Sequence, residues 1–238
     1  MPEKPLGRKA YGSIPHLPGS KRGPGDHGLS ESQAAILTTK SRPDDLVVVR
    51  EKIDGSNVAI AKINGAIVPL VRSGYRAESS PYQQHHEFAA WVAKDYLRWY
   101  EMLADGERLC GEWIAMSHGT RYDLSDGDEP FYGFDIFREN ARILESELSG
   151  RLALYLVNEP PLIHKGDSIS VESALNLLGD YGKTGIALDR VEGMVWRTER
   201  KGKVEFLGKY VNPDFVPGKY FHEDDSPEWN PGFNPCLP

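Results

Sequence analysis

The sequence predicts an α+β domain in which antiparallel strands form the core and a few helices pack outside them. Its β-forming segments are separated by short turns, of which Asn64-Gly65 is a strong hairpin signal. Helical periodicity is confined to a few segments, and the longest of these runs from Pro81 to Leu103. The chain contains no GxxxxGKS/T loop, and its GxGxxG stretch at Gly23–Gly28 does not follow a predicted strand, so neither the P-loop fold nor the dinucleotide-binding fold is predicted.

The N-terminal half begins with a Gly-, Pro- and His-rich segment that has no helical or strand period. Because this segment also carries Tyr11, Ile14 and Leu17, which a flexible linker does not need, we expect an ordered extended arm. After Ser80, which can act as an N-cap, apolar residues at helical spacing favour a face packed on the sheet over a base-stacking surface. The predicted elements are a helix at 30–37, strands at 46–52, 57–63 and 66–72, and a helix at 81–103.

The C-terminal half alternates strands with short helices and ends in a Pro-, Asp- and Glu-rich stretch, which is predicted as a surface tail. Ser170 can cap the second helix, and Arg200-Lys-Gly-Lys203 joins the last two strands. We divide the chain into an arm with a short helix (1–45), one globular domain (46–215) and the tail (216–238). The predicted elements are strands at 107–115 and 130–137, a helix at 139–148, a strand at 152–157, a helix at 170–179, and strands at 190–198 and 203–211.

The composition limits the location and the partners of the protein. Its 238 residues carry a net charge of −7, so contact with a polynucleotide requires a local basic surface. No apolar run approaches the ~20 residues that span a bilayer, and the N-terminus lacks the apolar core of a signal peptide. Cys110 and Cys236 have no metal-ligand spacing and are expected to be free thiols. We therefore predict a cytoplasmic protein with no membrane partner.

Lys52 stands at the end of a predicted strand, directly before the turn Asp54-Gly55-Ser56. A lysine beside Asp-Gly is usually a solvated hairpin residue, and a four-residue motif recurs by chance. Burial or a neighbouring cation would instead lower its pKa and make the amine a nucleophile. The interpretation of Lys52 as a nucleophile is favoured because other charged residues also lie in apolar strands. Burying a charge there costs free energy unless the charge is paired or bound to a ligand. These residues are Arg72, Glu112, Glu192 and Lys209.

The order and spacing of these stretches resemble the covalent nucleotidyltransferase superfamily, which comprises polynucleotide ligases and mRNA capping enzymes. The resemblance covers residues 46–215 and is greatest to ATP-dependent RNA ligases of the phage double-strand-sealing and RNA-editing branch. It implies an antiparallel-sheet adenylyltransferase domain of the ATP-grasp-like ligase type, without a separate C-terminal domain. The matching motifs are Lys52-Ile-Asp-Gly55, Arg72-Ser-Gly74, Gly111-Glu-Trp113, Phe131-Tyr-Gly-Phe-Asp-Ile136, Glu192-Gly-Met-Val195 and Gly208-Lys-Tyr-Val211.

The resemblance implies an ATP-dependent RNA ligase with a covalent intermediate. Lys52 would attack the α-phosphate of ATP to form lysyl-AMP. The AMP would then pass to an RNA 5′-phosphate, and a 3′-hydroxyl would attack that phosphate and displace the AMP to seal the strand. Lys209 and Arg72 would balance the phosphate charge, and Mg²⁺ or Mn²⁺ together with Lys209 would lower the pKa of Lys52. The implied catalytic residues are Lys52, Glu192 and Lys209, and the implied metal ligands are Asp54, Glu112 and Glu192.

Other residues of the matched motifs are expected to bind the nucleotide. Phe134 would stack on adenine, while the backbone at Glu51 and Ile53 would read its edge. Glu112 would contact the ribose, and Asn57 would position the phosphate.

The sequence departs from this branch in two places. Its members usually carry Lys-x-Lys in the last motif, where this chain has Lys209 and Val211, unless Lys203 supplies the second cation. About two dozen residues follow that motif, too few for the C-terminal domain with which these enzymes grip nucleic acid. We therefore expect RNA capture to fall to the arm, which carries Lys21 and Arg22, or to a repair partner protein.

Three alternatives are left open. The same chemistry could serve a DNA ligase or a GTP-using capping enzyme. The chain could instead be a nucleotide-binding protein that no longer seals ends, which the departure at Val211 would explain. The motifs could also be coincidental matches in an unrelated α+β domain.

Overall fold

The computed structural model describes residues 4–224 and 226–236, and it confirms the α+β class with two antiparallel sheets. The strands are β1 (Asp45–Lys52), β2 (Ser56–Ile63), β3 (Ala66–Val71), β4 (Glu107–Trp113), β5 (Phe131–Arg138), β6 (Ala141–Arg142), β7 (Leu162–Gly166), β8 (Gly193–Arg200) and β9 (Lys203–Val211). The helices are α1 (Glu31–Thr38), α2 (Gln83–Lys94), α3 (Tyr96–Met102), α4 (Glu145–Leu154) and α5 (Val171–Leu178), with a 3₁₀ turn at Ala77–Ser79. Sheet A has the order β7-β1-β8-β9, and sheet B has the order β3-β2-β4-β5-β6.

Side-chain alternation gives each sheet one face that packs on helices and one face that borders a shared cleft. In β1, Val47 and Val49 belong to the core that contains α1 and α5, whereas Val48 and Lys52 line the cleft. In β4, Trp113 belongs to the core formed with α2, α3 and α4, whereas Glu112 lines the cleft. Polar residues on these strands therefore meet between the two sheets.

The segment predicted as one long helix forms α2 and α3, which are separated at Asp95. This residue leaves the helical region, with φ of −120° and ψ of 41°. Ser80 does not act as the N-cap, because Tyr82 occupies that position and the Ser80 hydroxyl hydrogen-bonds His85 Nδ1 at 2.6 Å. The aromatic face packs on sheet B as predicted. Its aromatic core consists of Phe88, Trp91, Trp99, Trp113 and Phe131.

The elements predicted between residues 139 and 157 are wrong. Helix α4 begins six residues after the predicted start and extends through the first half of the predicted strand, because Leu148 and Leu152 are buried at helical spacing while Leu154 and Leu156 are exposed. The unpredicted strand β7 pairs with β1 at the edge of sheet A. The other predicted elements agree with the structure to within three residues at either end. Ser170 caps α5 by accepting a hydrogen bond from the Ser173 amide at 3.1 Å.

The C-terminal segment packs on the core rather than forming the expected surface tail. Asn230 is 2% exposed and makes three side-chain hydrogen bonds. Its Oδ1 accepts from the Ser117 hydroxyl at 2.8 Å and the Tyr122 amide at 2.9 Å, and its Nδ2 donates to the Ile114 carbonyl at 2.6 Å. The described residues after β9 contain no further domain. None of the helices in the described part of the chain is long and apolar enough to span a membrane.

Replacing Asn230 with alanine is expected to lower the free energy of unfolding by about 2–4 kcal/mol, because three buried polar groups would lose their partner. Urea denaturation of the two proteins measures this difference. Asn234→Ala is the matched control, since Asn234 is exposed and its side chain donates only to the Gly232 carbonyl at 3.3 Å. Equal stability of the two variants would contradict the role assigned to Asn230.

Candidate active site

The cleft between the sheets has two parts that meet at Lys52. One part has an empty volume of about 910 Å³ and is partly apolar, with Val48, Phe134, Val195 and Leu207 among its lining residues. The other is a more open polar cleft of about 1540 Å³. The residues that line both parts are Lys52, Asn57, Arg72, Glu112 and Lys209. The structure thus brings together most of the site residues that the sequence predicted.

Lys52 ends β1 in sheet A, and the chain crosses from there to β2 in sheet B through Asp54 and Gly55. Gly55 is required at this crossing, because a Cβ there would lie 2.5 Å from the Trp113 carbonyl oxygen. Lys52 pairs with Gly193 in the ladder between β1 and β8, which places Glu192 beside it. The Lys52 amine donates a hydrogen bond of 2.5 Å to Glu192 Oε2.

Three carboxylates set the protonation of Lys52. Burial lowers the pKa of this lysine, but the charges of Glu192, Glu112 and Asp54 outweigh burial, so its pKa lies above the ordinary value. Burial and Lys209 alone do not produce the expected lowering of this pKa, and the part assigned to a divalent cation stays a prediction. The physical reason is that the nearby carboxylates outnumber the neighbouring cation Lys209. The amine is therefore held as an ammonium ion in this structure.

Glu112 and Asn57 face each other across β4 and β2. Asn57 Nδ2 donates to Glu112 Oε2 at 3.4 Å, while Asn57 Oδ1 is buried and has no hydrogen-bond partner among the described residues. Burial, reinforced by the charges of Glu192 and Asp54, raises the pKa of Glu112 to about 7 against the opposing effect of Lys52. These groups are buried polar atoms with spare hydrogen-bonding capacity, as expected of a binding site.

Asp54 is fixed by the loop that follows β4. Its Oδ2 accepts hydrogen bonds from the Gly119 amide at 2.6 Å and the Thr120 amide at 2.8 Å, and its own amide donates to the Tyr122 hydroxyl at 3.0 Å. Within residues 4–224 and 226–236, no three His, Cys, Asp or Glu side chains converge to hold a metal ion. The three predicted ligands therefore do not form a preassembled cage.

Lys209 and Arg72 lie on opposite sheets and contact the N-terminal arm. Burial and repulsion from Lys52 lower the pKa of Lys209, and Arg72 donates to the Gly12 carbonyl at 3.3 Å. Lys203 cannot supply the cation that Val211 lacks, because it lies at the other end of β9, about 20 Å along the strand from Lys209. The suggestion that Lys203 supplies the second cation is therefore wrong.

Phe134 lines the apolar part of the cleft, as expected for a base-stacking residue, and contacts the Tyr11 ring edge-on at 5.1 Å. Ile53 and Glu51 line the same part of the cleft, although the backbone amide of Glu51 is not free to read the edge of adenine. That amide donates to the Pro161 carbonyl at 3.0 Å, and the Glu51 side chain is buried against the Lys183 amide at 2.6 Å. Ile53 is buried among apolar residues of the loop region.

Residues 45–211 match the RNA ligase family, a span that covers more than half of the chain. The chain belongs to the RNA ligase family. An uncharacterised protein of Methanocaldococcus jannaschii is 30% identical to it over 165 residues, which are 63% of this chain and 39% of that protein. The chain therefore spans well under half the length of this relative.

Solved structures of a Naegleria gruberi RNA ligase share the fold of this family member. The ligase with PPi matches with a TM-score of 0.52 at 17% identity, over 71% of this chain and 50% of that one. A variant of the same ligase with ATP and Mn matches with a TM-score of 0.54 at 16% identity, over 83% of this chain and 58% of that one. These matches agree with the two-sheet architecture described above.

Sequence reasoning missed a buried ionic network behind the apolar pocket of this family member. Asp135 is 1% exposed and accepts from Tyr11 at 2.7 Å, Arg142 at 2.8 Å and Arg197 at 2.8 Å. Asp135 and Arg197 are charged residues in apolar strands, which is the signal that identified Glu112 and Lys209. The same signal could have identified Asp135 and Arg197. No feature of the sequence indicated that Tyr11 in the arm belongs to this network.

Glu51 is expected to make the protein less stable as the pH rises. Burial raises its pKa to about 7, so the folded state binds the proton more tightly than the unfolded state, where the ordinary value of 4.5 applies. Stability is then greatest below the ordinary pKa and falls as the pH rises through 7. Between pH 5 and pH 8 the stability of the parent should fall by about 2 kcal/mol relative to Glu51→Gln.

Urea denaturation of both proteins at several pH values measures this difference, and Glu51→Gln serves as the control because all other titrating groups are retained. Parallel stability profiles for parent and variant would mean that Glu51 does not titrate in this range.

Proposed function

We propose that the protein is an ATP-dependent RNA ligase that forms a covalent lysyl-AMP intermediate at Lys52. The observation that carries this proposal is the position of the Lys52 amine. It lies between a partly apolar pocket and a polar cleft, and it is bonded to Glu192 while Lys209 and Arg72 line the same space. Membership of the RNA ligase family supports the reaction class.

The apolar part of the cleft suits the adenosine of ATP. Phe134 offers a ring for stacking, and Val48, Val195 and Leu207 supply an apolar lining. Glu112 lines the same part of the cleft as Phe134 and Lys52, where it can contact the ribose that joins base and phosphate. The α-phosphate would then lie at Lys52, and the leaving pyrophosphate would lie in the polar cleft beside Arg72 and Lys209.

In the first step, the Lys52 nitrogen forms a bond to the α-phosphorus of ATP. The bond between the α-phosphorus and the oxygen that bridges to the β-phosphate breaks, and pyrophosphate leaves. Glu192 is placed to accept the proton that the amine loses, because its carboxylate is 2.5 Å away. Lys209 and Arg72 balance negative charge on the phosphate oxygens. The second and third steps pass AMP to an RNA 5′-phosphate and displace it with a 3′-hydroxyl.

The carboxylates around Lys52 fit a divalent cation such as Mg²⁺ or Mn²⁺. Their oxygens match the ligand preference of these ions, and burial raises the pKa of both Glu112 and Glu192, which favours a bound cation in place of a proton. Glu112 and Glu192 would hold the ion, with phosphate and water completing its shell, while Asp54 remains bonded to loop amides. Such an ion would lower the pKa of Lys52 and neutralise phosphate charge.

The Naegleria ligase structures with ATP and Mn support the choice of nucleotide and metal class. We further propose a phage double-strand-sealing or RNA-editing type of substrate, a role in RNA repair, and a cytoplasmic location. Arg22 is exposed on the arm and can contact RNA, whereas Lys21 is engaged by the Phe215 carbonyl at 2.5 Å. A repair partner protein would supply further contacts with the RNA.

Incubation with ATP labelled at the α-phosphate is expected to label the protein covalently, and Lys52→Ala should abolish the label because the nucleophile is removed. Parallel incubations with GTP and NAD distinguish capping and NAD-using enzymes by the nucleotide that labels. Lys62→Ala is the matched control, since Lys62 lies on β2 and donates to the Tyr100 carbonyl outside the cleft. Equal labelling of Lys52→Ala and the parent would refute the assignment of the nucleophile.

Lys209→Ala is expected to reduce the joining of nicked RNA duplexes with 5′-phosphate and 3′-hydroxyl ends by about 10²–10³-fold, as for other cations that stabilise a transition state. Lys203→Ala, on the same strand but far from the cleft, should leave joining unchanged. Gel analysis of the joined product measures both effects. A parent that becomes labelled but joins neither nicked nor single-stranded RNA would favour the nucleotide-binding protein suggested by Val211.

A further inference from the structure

The N-terminal arm runs along the cleft and is bonded to a site residue of each sheet. The amides of Ala10 and Tyr11 donate to the Arg72 carbonyl at 3.0 and 3.3 Å, after the end of β3 in sheet B. Further along, the Leu17 amide donates to the Lys209 carbonyl at 2.8 Å, and the Lys209 amide donates to the Pro15 carbonyl at 2.9 Å, on β9 in sheet A. Residues 10–17 therefore bridge the two sides of the cleft.

A close backbone approach fixes the start of this bridge. Gly74 follows Arg72 with φ of +91°, and a Cβ at this position would collide with the Arg8 carbonyl oxygen. Only glycine adopts this conformation without strain and leaves room for the arm. The turn after β3 is thus shaped to receive the arm.

The bridge contributes to the apolar part of the cleft. Tyr11, Gly12 and Ile14 are among its lining residues, and Ile14 packs in the same apolar cluster as Phe134. Tyr11 is 4% exposed, its hydroxyl donates to Asp135 at 2.7 Å, and its ring meets the Phe134 ring edge-on at 5.1 Å with an interplanar angle of 70°. These contacts fix the orientation of the Phe134 ring.

We infer that residues 10–17 of the arm are part of the nucleotide-binding site, with Ile14 as an apolar contact of the adenosine and Tyr11 as the positioning residue for Phe134. This inference rests on the proposed nucleotide site and extends it to a segment that precedes the family match at residues 45–211. It follows that one nucleotide contact, Ile14, and the residue that positions Phe134 both come from outside the two sheets.

The test is calorimetric titration of the full chain with AMP, which cannot react with Lys52. Ile14→Ala is expected to weaken AMP binding about tenfold, because three side-chain carbons leave an apolar contact. Ile63→Ala is the matched control, since Ile63 is equally half-buried at the same apolar cluster but does not line the cleft. Melting temperatures of both variants verify that they fold.

A second pair of variants tests Tyr11. Tyr11→Phe keeps the ring against Phe134 and should retain AMP affinity within about twofold, whereas Tyr11→Leu removes the edge-on contact and should weaken AMP binding about tenfold. If Tyr11 served only to hold the fold through its hydrogen bond to Asp135, both variants would lose AMP affinity, because both lack that hydrogen bond.

The outcomes separate the inference from the proposed function. If the parent and Ile14→Ala bind AMP equally well, the arm is not part of the site. The same conclusion follows if Ile14→Ala and Ile63→Ala weaken AMP binding equally. In either case the inference fails while the proposed function stands. If the parent does not bind AMP, the nucleotide site and the inference fail together.

Discussion

The charge balance around the Lys52 amine is the constraint on which the rest of the site depends. One half-buried ammonium lies among the carboxylates of Asp54, Glu112 and Glu192, and the opposite charges offset part of the free energy that burial costs each group. The carboxylates raise the pKa of the lysine, so the nucleophile is kept protonated in this structure. Positive charge brought in with the substrate would have to replace the ammonium charge before the amine could attack.

This charge cluster forms because side chains alternate between the two faces of each sheet, so that charged residues from both sheets face the cleft. Lys52 ends β1 in sheet A, and Glu112 lies on β4 in sheet B, yet both face the cleft because the intervening positions are occupied by core residues. A shift of one residue in either ladder would turn the charged side chains into the core. The buried aromatic cluster around Trp113 therefore fixes the register that the active site requires.

Segments outside the family match complete the site from both ends of the chain. The arm bonds to Arg72 and Lys209, and Asn230 holds the loop whose Gly119 and Thr120 amides bind Asp54. These contacts are made by backbone groups and small polar side chains. The sequence of such segments does not differ from that of an ordinary loop. The sequence therefore predicted an ordered arm that captures RNA, but the contacts of the arm with Arg72 and Lys209 and those of Asn230 could not be predicted before the fold was known.

The sequence by itself determined seven of the nine described strands, the α+β class and a set of charged residues that lie in apolar strands, because the side-chain period and the cost of burying a charge are local properties. It misassigned residues 139–157, since Leu148 and Leu152 fit a helical face only when the core they contact is known. The tertiary structure alone decided that Asp54 is bonded to loop amides, that the Glu51 side chain accepts a hydrogen bond from the Lys183 amide, and that Lys203 is too distant to replace a missing cation. Protonation of Lys52 was also decided there, because a pKa depends on the distances between charges that the fold brings together.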